Sequence, residues 1–124
     1  MPYITISATQ GLSSDQKKQL LERSSNAVVD SIGAPQASVR VMLHELPREH
    51  YLDAGQFGAA TVMYQVEFIV GRTEELKSAL IASLSKTASE ITGIPERDVR
   101  VRLIDFPKEN MGMAGGISAK KMGH

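Results

Sequence analysis

The sequence begins Met-Pro-Tyr-Ile-Thr-Ile, and the chemistry of its second residue depends on what precedes it. A methionine followed by a small residue is readily trimmed, and loss of Met1 would leave Pro2 as a free secondary amine. A terminal α-amino group titrates at about 7.7–8.0, against about 10.4 for a lysine side chain. Partial burial and neighbouring cations lower that value further, because both disfavour the protonated form. Such an amine is substantially neutral near physiological pH and can act as a general base. The ring also holds it rigidly at the head of a strand. Other constellations are missing. There is no cysteine, so disulfide and thiol chemistry are excluded. His44, His50 and His124 have no metal-ligand spacing, and no His-Glu-x-x-His or Cys/His cluster occurs, so no metal site is expected. Gly-x-Ser-x-Gly, Walker and dinucleotide motifs are absent, and Gly115-Gly116 is too short to mark a phosphate loop.

The elements that must position Pro2 emerge from an internal repeat. Shifted by sixty positions, the chain matches itself without a gap. Gly11 falls on Gly71, Lys17 on Lys77, Leu20 on Leu80 and Ser25 on Ser85. Gly33-Ala34-Pro35 falls on Gly93-Ile94-Pro95, and Val39-Arg40-Val41 on Val99-Arg100-Val101. Leu43, Pro47, Glu49 and Gly55 fall on Leu103, Pro107, Glu109 and Gly115. The matches include glycine and proline punctuation, which points to a duplication: a single domain spanning 1–124, with halves 2–60 and 61–124.

Each half has the same internal order. Tyr3 to Ala8 alternates as a strand does, and its counterpart Val62 to Val70 is rich in β-branched and aromatic residues. After the turn glycine, Ser13 or Thr73 is placed to cap a helix, with Asp15 or Glu74 and Glu75 where the helix dipole favours acid. Apolar residues at helical spacing follow: Leu20, Leu21, Ala27, Val28 and Ile32, then Leu76, Leu80, Leu84, Ala88 and Ile91. Gly33 and Gly93 stop the helices, with Pro35 and Pro95 two residues on. Second strands are predicted over Ser38 to Leu46 and Asp98 to Phe106, closed by Pro47 and Pro107. Tyr51 to Gly58 and Met111 to Ser118 then suit short hairpins. The fold class is therefore α/β: tandem βαβ units forming a four-stranded mixed sheet with two helices on one face. A helical crossover makes the strands within each half parallel. The bare face of such a sheet needs cover, and self-association is the economical answer.

Bulk properties narrow the function classes. The 124 residues suit one domain, and formal net charge is zero with no basic patch, so no nucleic-acid partner is expected. No apolar run reaches the ~20 residues of a membrane span, and the N-terminus lacks the pattern of a signal peptide. A cytoplasmic location is expected.

Three segments carry a family resemblance: Pro2-Tyr-Ile-Thr-Ile, Gly11-Leu-Ser-Ser-Asp-Gln-Lys-Lys and Ala34-Pro-Gln-Ala-Ser-Val-Arg-Val. With Gly71-Arg-Thr-Glu-Glu-Leu-Lys and Val99-Arg-Val, they make the chain resemble a fused, double-length 4-oxalocrotonate tautomerase of the tautomerase superfamily. The resemblance implies the tautomerase fold, an isomerase without cofactor, and a small carboxylate substrate such as a 2-hydroxydienoate or phenylenolpyruvate. It implies Pro2 as base and acid, with Arg72 binding a carboxylate. It implies Arg100 or Arg40, reached from a neighbouring copy in a homotrimer, at the oxygen end, with preference to Arg100. The position of the family's aromatic wall falls on Met111 at the Pro2 site, whereas Tyr51 holds it in the first half. In the small enzymes of that family the turn arginine reaches the proline of its dimer partner, so the resemblance implies that Arg72 faces Pro2, while Leu12 faces Val62, an internal residue with no free amine. One site keeps both parts and the other has lost both. Dehalogenation or hydration of unsaturated acids is the alternative within the superfamily. Against the cis-3-chloroacrylate dehalogenase pattern, the helix histidine falls on Val28, the water-activating glutamate on Met113 and the strand tyrosine on Arg102, with only Pro2 and Arg72 matching. Glu109 and Asp105 are expected to be solvated or paired. A non-catalytic binding protein on the same fold is the alternative from another class.

Overall fold

The computed structural model describes residues 2–124. The first half runs β1 (Tyr3–Thr9), α1 (Ser14–Ile32), β2 (Arg40–Leu46) and a hairpin of β3 (Leu52–Asp53) and β4 (Gln56–Phe57). The second repeats it as β5 (Val62–Ile69), α2 (Glu74–Thr92), β6 (Val99–Phe106) and a hairpin of β7 (Gly112–Met113) and β8 (Ile117–Ser118). The main sheet has the order β2-β1-β5-β6. Pairing is parallel within each half and antiparallel between β1 and β5, where Tyr3 stands opposite Glu67 and Ala8 opposite Val62. The α/β class, the mixed four-stranded sheet and the two helices packed on one face are as the sequence implies.

Capping explains where the helices begin and end. Ser13 accepts from the Gln16 N–H at 3.1 Å while Gln16 Oε1 accepts from the Ser13 N–H at 2.9 Å, a reciprocal capping box. Thr73 accepts from the Leu76 N–H at 3.2 Å. Gly33 closes α1 with φ +69, a backbone region costly for other residues. The core lies between helices and sheet, built from Ile4, Ile6, Ala8, Val62, Val66 and Phe68 below and Leu20, Val28, Leu80, Leu84 and Ala88 above, all fully buried. Each large apolar side chain taken out of water contributes about 1.5–3 kcal/mol.

Two details depart from the sequence pattern. Second strands start later than predicted, at Arg40 and Val99, because residues 36–38 and 96–98 close 3₁₀ turns after Pro35 and Pro95. Leu76 is exposed and Leu21 only half-buried; Leu76 sits in the first turn of α2 beside its cap, and the buried stripes of both helices instead include Ser24 and Thr87.

Strand alternation sends the other side chains to the open face in three rows across the sheet. They are Arg40, Tyr3, Glu67, Ile104; then Met42, Thr5, Gln65, Arg102; then His44, Ser7, Met63, Arg100. Met42 is 54% exposed and Ile104 38%, so apolar area stands bare in a single chain.

Candidate active site

Antiparallel pairing of β1 with β5 fixes the neighbours of Pro2. One step before the Tyr3–Glu67 pair, Pro2 comes alongside the Phe68 end of β5. Its ring is buried, and its carbonyl accepts from the Arg40 N–H at 3.2 Å, which ties the start of the chain to β2. After Ile69 the chain turns through Gly71, at φ +130, and Arg72 folds back over the strand it has just left. Its Nη1 donates to the Ile69 carbonyl at 3.0 Å, and its guanidinium carbon lies 5.5 Å from the centroid of the Phe68 ring. Pro2 and Arg72 therefore share one end of the sheet, although seventy positions separate them.

The same pairing places Leu12 and Val62 at the opposite end. Val62 is fully buried, and Leu12 packs against the main core. There the chain is continuous: the Thr9 N–H donates to the Thr61 carbonyl at 3.1 Å, and the Thr61 N–H donates to Thr9 Oγ1 at 3.1 Å. Val62 is thus an internal residue, its nitrogen an amide.

A second, smaller apolar cluster adjoins the Pro2 end. Ile69, Met111 and Ala119 form it, with Tyr3, Phe106 and Met113 packed against them. The β7–β8 hairpin builds it, held by the Ala119 N–H on the Met111 carbonyl at 2.8 Å and the Lys120 N–H on the Lys108 carbonyl at 3.2 Å. Met111 is thus buried against Ile69, the residue whose carbonyl holds Arg72. Tyr51 sits half-buried beside the other hairpin.

The two strand arginines lie apart. Arg40 stands opposite Tyr3, at the Pro2 end, but its Nη1 turns to the Ala37 carbonyl at 2.7 Å. Arg100 stands opposite Met63, in the row farthest from Tyr3, roughly 13 Å along the strands. Its guanidinium donates to the Arg97 and Val99 carbonyls. Within one chain Arg100 is not brought to Pro2. Of the residues weighed for hydration chemistry, Val28 is sealed in the core, Arg102 donates to Gln65 Oε1 at 3.3 Å and Asp105 pairs with Lys77 Nζ at 2.7 Å. Glu109 and all three histidines are exposed. A surface groove of about 420 Å³ between α1 and β2, floored by Val39 and Val41, contains neither Pro2 nor Arg72. Among the described residues no cluster of His, Asp or Glu could hold a metal, and no helix is long and apolar enough to cross a membrane.

Two features escaped the sequence reading. Phe68 under Arg72 is one. The other is Tyr64, whose hydroxyl meets Ser24 Oγ at 2.8 Å beneath α1. Burial pushes the Tyr64 phenol up to about 12, against smaller lowering effects of the Ser24 hydrogen bond and the nearby Arg23 charge. A signal for both lay in the repeat, where Tyr64 replaces Ile4 and Phe68 replaces Ala8.

The sequence profile of tautomerase enzymes matches twice, over residues 2–59 and 65–121. The chain belongs to the tautomerase family. It is a double-length member, and its class is that of an isomerase. The 2-hydroxymuconate tautomerase of Pseudomonas putida is 48% identical over 59 residues, 48% of this chain and 92% of that relative. The solved structure of Pt0534 inactivated by 2-oxo-3-pentynoate is 73% identical, with TM-score 0.96, covering 98% of this chain and 99% of that one. A fused 4-oxalocrotonate tautomerase described as a symmetric trimer is 44% identical, with TM-score 0.95 over the same shares. The Pseudomonas putida relative thus corresponds to one half, and the two solved structures to the whole tautomerase chain.

Proposed function

We propose that this tautomerase interconverts enol and keto forms of a small unsaturated carboxylate, with Pro2 as general base once Met1 is removed. The observation that carries the reading is the sorting of the repeat: the terminal proline and the turn arginine share one end of the sheet, while valine and leucine occupy the other. Arg72 binds the substrate carboxylate through N–H donors beyond the one engaged by Ile69. Pro2 takes the hydroxyl or carbon proton and returns it to a different carbon of the same substrate. The negative charge that develops on the substrate oxygen meets a second guanidinium, from Arg100 or Arg40 of a neighbouring copy, and fixed donors there lower the barrier. Arg100 fits this role better, because in its own chain it lies at the wrong end of the sheet. The cluster around Met111 supplies the apolar wall. A trimer, the assembly described for fused relatives, covers the open sheet face and completes the site. The substrate is a 2-hydroxydienoate such as 2-hydroxymuconate, after the relatives that match each half, or an enol such as phenylenolpyruvate.

The test is paired. Intact mass establishes whether Met1 is gone, and ultraviolet absorbance follows ketonisation of 2-hydroxymuconate by the wild type, Pro2→Ala and Arg72→Ala. Loss of at least about a hundredfold in kcat/KM for Pro2→Ala is expected, the scale of general-base catalysis. A wild type that lacks Met1 yet is inert on this substrate and on phenylenolpyruvate would defeat tautomerisation. A haloacrylate screen would then separate hydration from a binding role. Light scattering at the mass of a single chain would count against the composite site.

A further inference from the structure

We infer that Phe68 is a positioning residue for Arg72, its ring face holding the guanidinium over the head of β1. The inference rests on the proposed carboxylate-binding role of Arg72 and extends it to a residue with no access to substrate. Phe68 is fully buried on the helix side of β5, and the Arg72 guanidinium carbon lies 5.5 Å from its centroid. The negative face of an aromatic ring attracts a cation at that range. Nη1 of the same group donates to the Ile69 carbonyl at 3.0 Å. A ring beneath and a carbonyl beside it restrain a long side chain that otherwise samples many rotamers, so less freedom is lost when a carboxylate arrives.

The repeat provides an internal control. Position 8 of the first half is the counterpart of Phe68, and position 12 that of Arg72. Ala8 and Leu12 occupy them, and Ala8 is as fully buried as Phe68 while Leu12 packs against the main core. Burial of the strand position is therefore common to both halves. What differs is the group above it: a small residue lets an apolar side chain reach the core, and an aromatic one carries a cation. Ring and guanidinium occur together at the end that has Pro2 and are both replaced at the end that has Val62. Core volume accounts for a large side chain at position 68, and the guanidinium 5.5 Å from its centroid accounts for an aromatic one.

Fluorinated phenylalanines of rising fluorine content at position 68 weaken the ring's negative face with little change of shape. Across that series the KM for 2-hydroxymuconate should climb by about threefold to tenfold while kcat stays within about twofold, the pattern for lost ground-state binding. The melting temperature should not follow the series. Phe68→Leu should raise KM similarly in the wild type and add nothing in the Arg72→Ala background. In parallel, nitrogen NMR of the Arg72 guanidinium should show its N–H signal broadening as fluorine is added. A flat KM with an unchanged guanidinium signal would overturn the inference, as would an equal Phe68→Leu effect with and without Arg72. If Arg72→Ala itself leaves kcat/KM intact, the carboxylate-binding role fails, and the guanidinium signal then decides separately whether Phe68 holds Arg72.

Discussion

At the residue scale, the duplication has let single positions diverge in matched pairs. Pro2 with Arg72 stands against Val62 with Leu12 at the ends of the sheet, and Tyr64 with Ser24 stands against Ile4 with Leu84 in the core. The Tyr64–Ser24 pair is a buried hydroxyl contact, satisfied only while both partners remain. Tyr64→Phe or Ser24→Ala alone should each destabilise by about 1–2 kcal/mol, because each leaves one buried hydroxyl without its partner. The double variant should lose less than the sum, as read from urea midpoints in a double-mutant cycle. The same phenol gives a pH dependence with a definite sign. Burial raises its folded-state value from 10.0 to about 12, so the folded chain keeps the proton longer than the unfolded one. Its contribution is complete below pH 10 and is lost as pH rises from there to about 12, by up to about 3 kcal/mol. Stability measured across that window should fall more gently in Tyr64→Phe than in the wild type.

At the element scale, the helices are set by their ends as much as by their apolar faces. Ser13 and Gln16 satisfy two N–H groups reciprocally, whereas Thr73 satisfies one. Ser13→Ala should therefore cost about 1 kcal/mol and Thr73→Ala somewhat less, with faster amide exchange confined to the first turn of α1 or α2. The sequence made these caps and the glycine stops legible because they depend on neighbours three or four residues away. It was less informative about the buried stripes. Helical spacing selected Leu76 for the core, yet the first turn of α2 leaves it exposed, and it missed Ser24 and Thr87 because polar residues do not announce burial.

At the scale of the whole molecule, the two halves share one core rather than holding one each. Leu20 and Val28 of α1 pack in the same cluster as Val62, Val66, Leu80 and Leu84 of the second half. α1 and α2 are further tied by the Gln16 Nε2 donation to the Ile91 carbonyl at 3.0 Å. We propose that the chain unfolds as one cooperative unit. Far-ultraviolet dichroism and tyrosine fluorescence should then report coincident urea transitions, and Leu20→Ala should lower both together by about 2–5 kcal/mol. Separate transitions for the two halves would refute this.

The sequence by itself determined the order of elements, their caps and stops, the duplication, and the candidacy of a proline at position 2. Those features are written in local spacing, or in a comparison of the chain with itself. The family resemblance paired Pro2 with Arg72 across the repeat, but the pairing of β1 against β5 in opposite directions is what brings the two to one end. The same pairing strands Arg100 at the other end of its own chain. The ring under the guanidinium and the hydroxyl pair beneath α1 likewise depend on strand register and helix placement. Only tertiary packing decides these, because the contacting residues are far apart in the chain and no local periodicity records which of them will meet.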